Sequence, residues 1–121
     1  MRDHKELDVW QAGVDLVTMV YLISHAFPKE ELFGITSQMR RAAVSIPSNI
    51  AEGAARQTPK EFVQFLFVAL GSAAELETQI IIANRLKYLE REDELLAKLA
   101  SVRKMLHGLI RHYRSPNPPD A

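Results

Sequence analysis

The chain has 121 residues, enough for one domain with a buried core and too few for two ordinary ones. Hydrophobic residues make up 47% and charged residues 25%, the globular range, and 15 basic side chains balance 15 acidic ones. That neutrality counts against strong nucleic-acid binding by a lone protomer, though not against a local basic patch, and the lack of cysteine excludes disulfides, thiol catalysis and Cys-based zinc sites.

The opening MRDHKELD has no apolar signal region, and no apolar run approaches the ~20 residues that span a bilayer, so a soluble, cytoplasmic protein with no membrane partner is expected. Asp8 and Gln11 have capping-box spacing and start a predicted helix over about 8–26, ended by Pro28. Its apolar residues form two adjacent stripes, Trp10, Val14, Val17 and Tyr21 in one and Val9, Leu16, Val20 and Ile23 in the other. After the short connection KEELFG, Thr36 or Ser37 can cap a second helix over about 36–56. QTPKE is the clearest start signal: Thr58 as N-cap, Pro59 in the first helical position and Glu61 completing the box of a helix over about 59–86. A glycine-free turn, LKYLERE, leads to a fourth helix over about 92–113. Its seam is Leu95, Leu99, Val102, Leu106, Leu109 and Tyr113, and Arg111 and Arg114 sit where the helix dipole favours cations. No segment alternates with period two, so no sheet is expected. The pattern predicts an all-α, antiparallel up-down-up-down four-helix bundle over residues 1–114, with SPNPPDA (115–121) as a disordered tail.

Helix two holds the stretch RRAAVSIPSNIAEGAAR. Met39, Ala43, Ile46 and Ile50 fall on one side as its core face, and Arg41, Ser45, Ser48, Glu52 and Arg56 form a narrow polar band opposite. Pro47 lacks an N–H and clashes with the Ala43 carbonyl, predicting a kink. Either the helix bends continuously with Asn49 bonding locally, or Asn49 and Glu52 restart it. The polar band reads equally as a solvated face with pairs such as Glu52–Arg56 or, given its small residues, as a protein–protein contact face.

Helix three is apolar well beyond one stripe: Phe62, Leu66, Ala69, Ala73, Leu76 and Ile80 serve a core, and Val63, Phe67, Leu70 and Ile81 extend it sideways. Glu61, Gln64, Ser72, Glu75 and Gln79 form its polar side. Such a helix is central in a bundle or covered by another subunit. Glu77 projects on the apolar side, and Arg40 and Arg41 lie at its level, so Glu77 or Glu75 is expected to pair with one of them, within or between subunits.

The stretches VWQAGVDLV, FPKEELFGITSQMRRAAVSIPSNIAEGAAR, KEFVQFLFVALGSAAELETQI and MLHGLI resemble the four-helix-bundle proteins named for intervening sequences in 23S ribosomal RNA genes. The resemblance covers nearly the whole chain except the tail, and Arg40, Arg41, Pro47, Asn49, Glu52, Gly53 and Arg56 match its motif. It implies an antiparallel bundle that assembles as a homopentamer, similar also to the nucleic-acid-binding accessory protein of diversity-generating retroelements, and implies no enzymatic activity. The chain departs from the pattern in being neutral where the retroelement proteins are basic, and in carrying Lys87 where the family often has glycine.

The leading expectation is a non-catalytic homo-oligomer that acts as an RNA- or DNA-associated scaffold. Arg40, Arg41, Ser45, Ser48, Asn49, Glu52, Arg56, Glu75 and Glu77 are its candidate interface or ion-pair residues. The candidate nucleic-acid contacts, gathered at one end of the bundle, are Arg56, Lys60, Arg103, Lys104, Arg111 and Arg114. The alternative is a protein-binding scaffold with no nucleic-acid partner. An enzyme ranks last: His107 and His112 are five apart, no Glu-x-x-His motif is present, and no cofactor or metal is expected.

Overall fold

The computed structural model describes residues 3–115, so all but Ser115 of the proline-rich tail lies outside the described residues. Within them the chain is all helical, with four long helices: α1 (Asp8–Ser24), α2 (Ser37–Ala54), α3 (Pro59–Arg85) and α4 (Glu92–Tyr113). α1 and α3 each pack against both α2 and α4, the arrangement of a four-helix bundle, and the α2–α3 contact is the most extensive.

The core follows the 3.6-residue period. Leu16, Val20, Met39, Ala43, Ile46, Ile50, Phe62, Leu66, Leu76, Ile80, Leu95 and Leu106 are completely buried. At roughly 1.5–3 kcal/mol for each large side chain, this burial is the main force holding the helices together. Of the two stripes expected on α1, only the one with Val9, Leu16 and Val20 is buried; Val14 and Tyr21 face outward. On α4 the seam steps from Leu106 to Ile110 instead of to Leu109, which is only partly buried.

The helix starts divide into signals that hold and signals that are diverted. Thr58 caps α3 as read, its hydroxyl accepting from the Glu61 N–H at 3.2 Å. Asp8 does not cap α1: it is the first helical residue, Leu7 is the N-cap, and Gln11 donates instead to the Lys5 carbonyl at 2.9 Å. Thr36 occupies the N-cap position of α2, but neither it nor Ser37 makes a side-chain cap hydrogen bond there. The Thr36 hydroxyl is buried with no partner among the described residues, and Ser37 donates to the Gly34 carbonyl at 3.2 Å. The connection before α2 is the cause, because it is itself a helical turn, Leu32–Thr36, broken at Gly34 (φ −109°, ψ −121°). The start of α2 therefore continues a turn and does not emerge from extended chain.

α2 runs unbroken through Pro47, and Asn49 does not restart it. The Asn49 amide bonds locally, to the Ser45 carbonyl at 2.7 Å and the Ser45 hydroxyl at 2.9 Å. The Pro47 ring is buried against α1, where a Cβ on Gly13 would sit 3.4 Å from the proline Cβ.

Candidate functional site

Part of the polar band on α2 belongs to the interior of the protomer. Ser45 is half-buried and shares a 2.7 Å hydrogen bond with Ser72 of α3, which sequence had placed on an outer polar side. Two turns on, Gly53 faces Phe62 and Phe65, and a Cβ there would come within 2.7 Å of the Phe65 Cβ. The small residues do admit a second backbone closely, but that backbone is α3 of the same chain. Ser48 is exposed on the outer side of α2. Glu52 and Arg56 form an exposed i,i+4 pair at 3.2 Å, and the Arg56 guanidinium lies 4.8 Å from the Phe65 ring centre. Gln79, also read as outward, is 5% exposed, and its side-chain carbonyl has no partner among the described residues.

The pairing of Glu77 with Arg40 or Arg41, expected within or between subunits, does not form within the protomer. The Glu77 side chain is 47% exposed and pairs with Arg103 of α4 at 3.1 Å. It flanks the core at the α3–α4 boundary, so it needs no buried partner. Arg40 instead donates to the Ser24 hydroxyl at 2.9 Å, with its guanidinium 4.6 Å from the Tyr21 ring centre. Arg41 and Glu75 line one groove between α2 and α3 but form no ion pair among the described residues.

Two outer surfaces expose large apolar side chains. The first joins α1, α2 and the turn between them. A cleft of about 820 Å³ is lined by Tyr21, Leu32, Phe33, Arg40, Arg41 and Val44, and Phe33 is 93% exposed. The second is the outward side of α3, where Phe67, Val68, Ile81, Ile82 and Leu86 are exposed. By length and composition alone α3 could cross a bilayer, its most apolar 18-residue window having a mean hydropathy of 1.5. Phe62, Leu66, Ala69, Ala73, Leu76 and Ile80 are nonetheless fully buried in the bundle.

The basic candidates separate into three places. Arg56 stands apart with Glu52 and Phe65. Arg103, Lys104 and Arg111 line a hollow of about 600 Å³ on the α3–α4 side, together with His107 and Glu77. Lys60 and Arg114 line a second hollow of about 570 Å³ with Phe67 and Tyr113. His107 and Phe67 were not among the sequence candidates for this surface. The i,i+4 spacing of Arg103, His107 and Arg111 was the available signal for the histidine. Among the described residues no group of three or more His, Asp or Glu side chains could hold a metal ion.

The architecture defines an all-helical protein of the four-helix-bundle class. Residues 5–108 match the family model described as 23S rRNA-intervening sequence protein, and the chain belongs to that family. No curated protein matches the chain.

Proposed function

We propose that the protein is a non-catalytic homo-oligomer of antiparallel up-down-up-down protomers, with α2 kinked at Pro47, and that the assembly serves as an RNA- or DNA-associated scaffold. The observation that carries this reading is the pair of unlike apolar surfaces, one around Tyr21, Phe33 and Val44 and the other along Val68, Ile82 and Leu86. A monomer gains nothing from exposing both. Two different surfaces that meet head to tail generate a ring, and the family resemblance implies five copies. The antiparallel order is supported by contacts between helix ends. Arg40 near the start of α2 meets Ser24 at the end of α1, Gly53 near the end of α2 meets Phe62 and Phe65 near the start of α3, and Arg114 after α4 lies over Phe67. The non-catalytic reading is supported by the structural employment of the motif's polar groups: Ser45 and Asn49 bond within the helix pair, and Arg40 with α1.

Nucleic-acid association is supported by the cations on the α3–α4 side, which a ring would repeat several-fold and so convert weak contacts into useful affinity. A protein-binding scaffold is the second reading, favoured by the open cleft beside Phe33 and the zero net charge. Sedimentation velocity at micromolar concentration tests the assembly, and a lone 13.7 kDa species overturns it. Filter binding of RNA across a salt series tests the nucleic-acid part, and no binding even at low salt leaves the protein-binding reading.

A further inference from the structure

We propose that the groove between α3 and α4 is a track for single-stranded nucleic acid, with Phe67 and Arg114 as a base-stacking platform and Lys60, Lys104, His107 and Arg111 beside the phosphates. The inference rests on the nucleic-acid reading above and narrows it to unpaired strands.

Phe67 is 46% exposed, and the Arg114 guanidinium lies 5.6 Å from its ring centre. Lys60 and Gln64 border the same hollow. One helical turn back from Arg114, Arg111 opens the second hollow, which runs along α4 past His107 and Lys104 to Ala100. Both hollows are bordered by α3 and α4, with Arg111 lining one and Arg114 the other. Among the described residues the single carboxylate bordering the second hollow, Glu77, pairs with Arg103. The groove thus concentrates positive charge on a chain whose total is zero, which favours a polyanion over another copy of the same neutral chain.

The aromatic decides between strand types. A duplex offers its phosphates but hides the faces of its bases, so an open ring beside cations adds little to duplex binding. An unpaired strand offers both, and bases stack on aromatic rings and on arginine planes whatever their sequence. Side chains at 107 and 111 lie ~6 Å apart along the helix, a spacing an extended strand can follow from one phosphate to the next.

Fluorescence anisotropy on the full chain, with a labelled uridine homopolymer of about 16 nucleotides and an RNA duplex of matched length, tests the inference. Tighter binding of the single strand is expected. Phe67→Leu should weaken it by about fivefold to a hundredfold and leave duplex binding unchanged, while Phe67→Trp retains it. Arg111→Gln, an exposed change, should lower the salt slope for the single strand by about 0.7. Three outcomes overturn the groove inference while the broader nucleic-acid reading stands: equal or tighter duplex binding, an unaffected Phe67→Leu or Arg111→Gln variant, or a Phe67→Leu variant whose sedimentation shows lost assembly. Failure of both RNAs to bind at low salt overturns both.

Discussion

Lys87 has a backbone φ of 64°, the left-handed conformation that side chains with a Cβ adopt at a cost. It ends α3 in a Schellman arrangement: the Lys87 N–H donates to the Asn84 carbonyl and the Tyr88 N–H to the Ala83 carbonyl, both at 2.9 Å. Glycine is the residue this position favours, and Lys87→Gly is expected to raise stability by about 0.5–1 kcal/mol, read in a denaturant melt. The next residue carries a pH dependence. The Tyr88 hydroxyl donates to the Glu31 carboxylate at 2.9 Å, and this bond, which needs the neutral phenol, raises the Tyr88 pKa above its usual 10.0. The stabilisation is therefore complete below pH 10 and is lost as pH rises through the higher folded-state value. Melting temperature should fall more steeply above pH 10 in the native protein than in Tyr88→Phe. The lysine was visible in sequence as a departure from the family's glycine. The Tyr88–Glu31 bond was not, because it spans 57 positions and depends on how two connections meet at one end of the bundle.

Gly53, next to last in α2, and Gly71, inside α3, should respond oppositely to the same substitution. Gly53→Ala gains ~1 kcal/mol of helix propensity but drives a methyl to 2.7 Å from the Phe65 Cβ and 2.9 Å from the Phe62 ring, so a net loss of about 1–2 kcal/mol is expected. Among the described residues, apart from its chain neighbours and its own helix backbone, nothing lies within 4 Å of a Cβ at Gly71, and Gly71→Ala should stabilise by about 0.5–1 kcal/mol. Thermal unfolding of the two variants, compared at equal concentration, checks both signs. Features legible in sequence at this scale were those set by neighbours along the chain, as with the Thr58 cap and the buried face of α2. A helical wheel gives each residue an angle but not the position of the adjacent helix. Ser72 and Gln79 therefore read as outward though they face α2 or the interior, and Glu77 read as buried though it borders α4. The drift of a 3.6-residue helix against a strict seven-residue repeat likewise moved the inward position on α4 from Leu109 to Ile110.

For the whole molecule, the excess of apolar side chains on α3 was legible in composition, but its division into separate surfaces was not. That division depends on the turn through Gly34, which leaves Phe33 projecting beside the cleft. Ile82→Lys and Tyr21→Lys change exposed positions on the two apolar surfaces. Each is expected to keep the helical far-UV spectrum and to shift sedimentation toward the 13.7 kDa protomer. The serine-to-serine contact between α2 and α3 has a consequence for how the chain opens. Those helices are joined by a short link, touch over the widest area and pin each other through Ser45–Ser72 and Gly53–Phe65, so they form the cooperative unit that breathes least. Native-state deuterium uptake should reach their central amides last, after the outer turns of α1 and α4 have already exchanged.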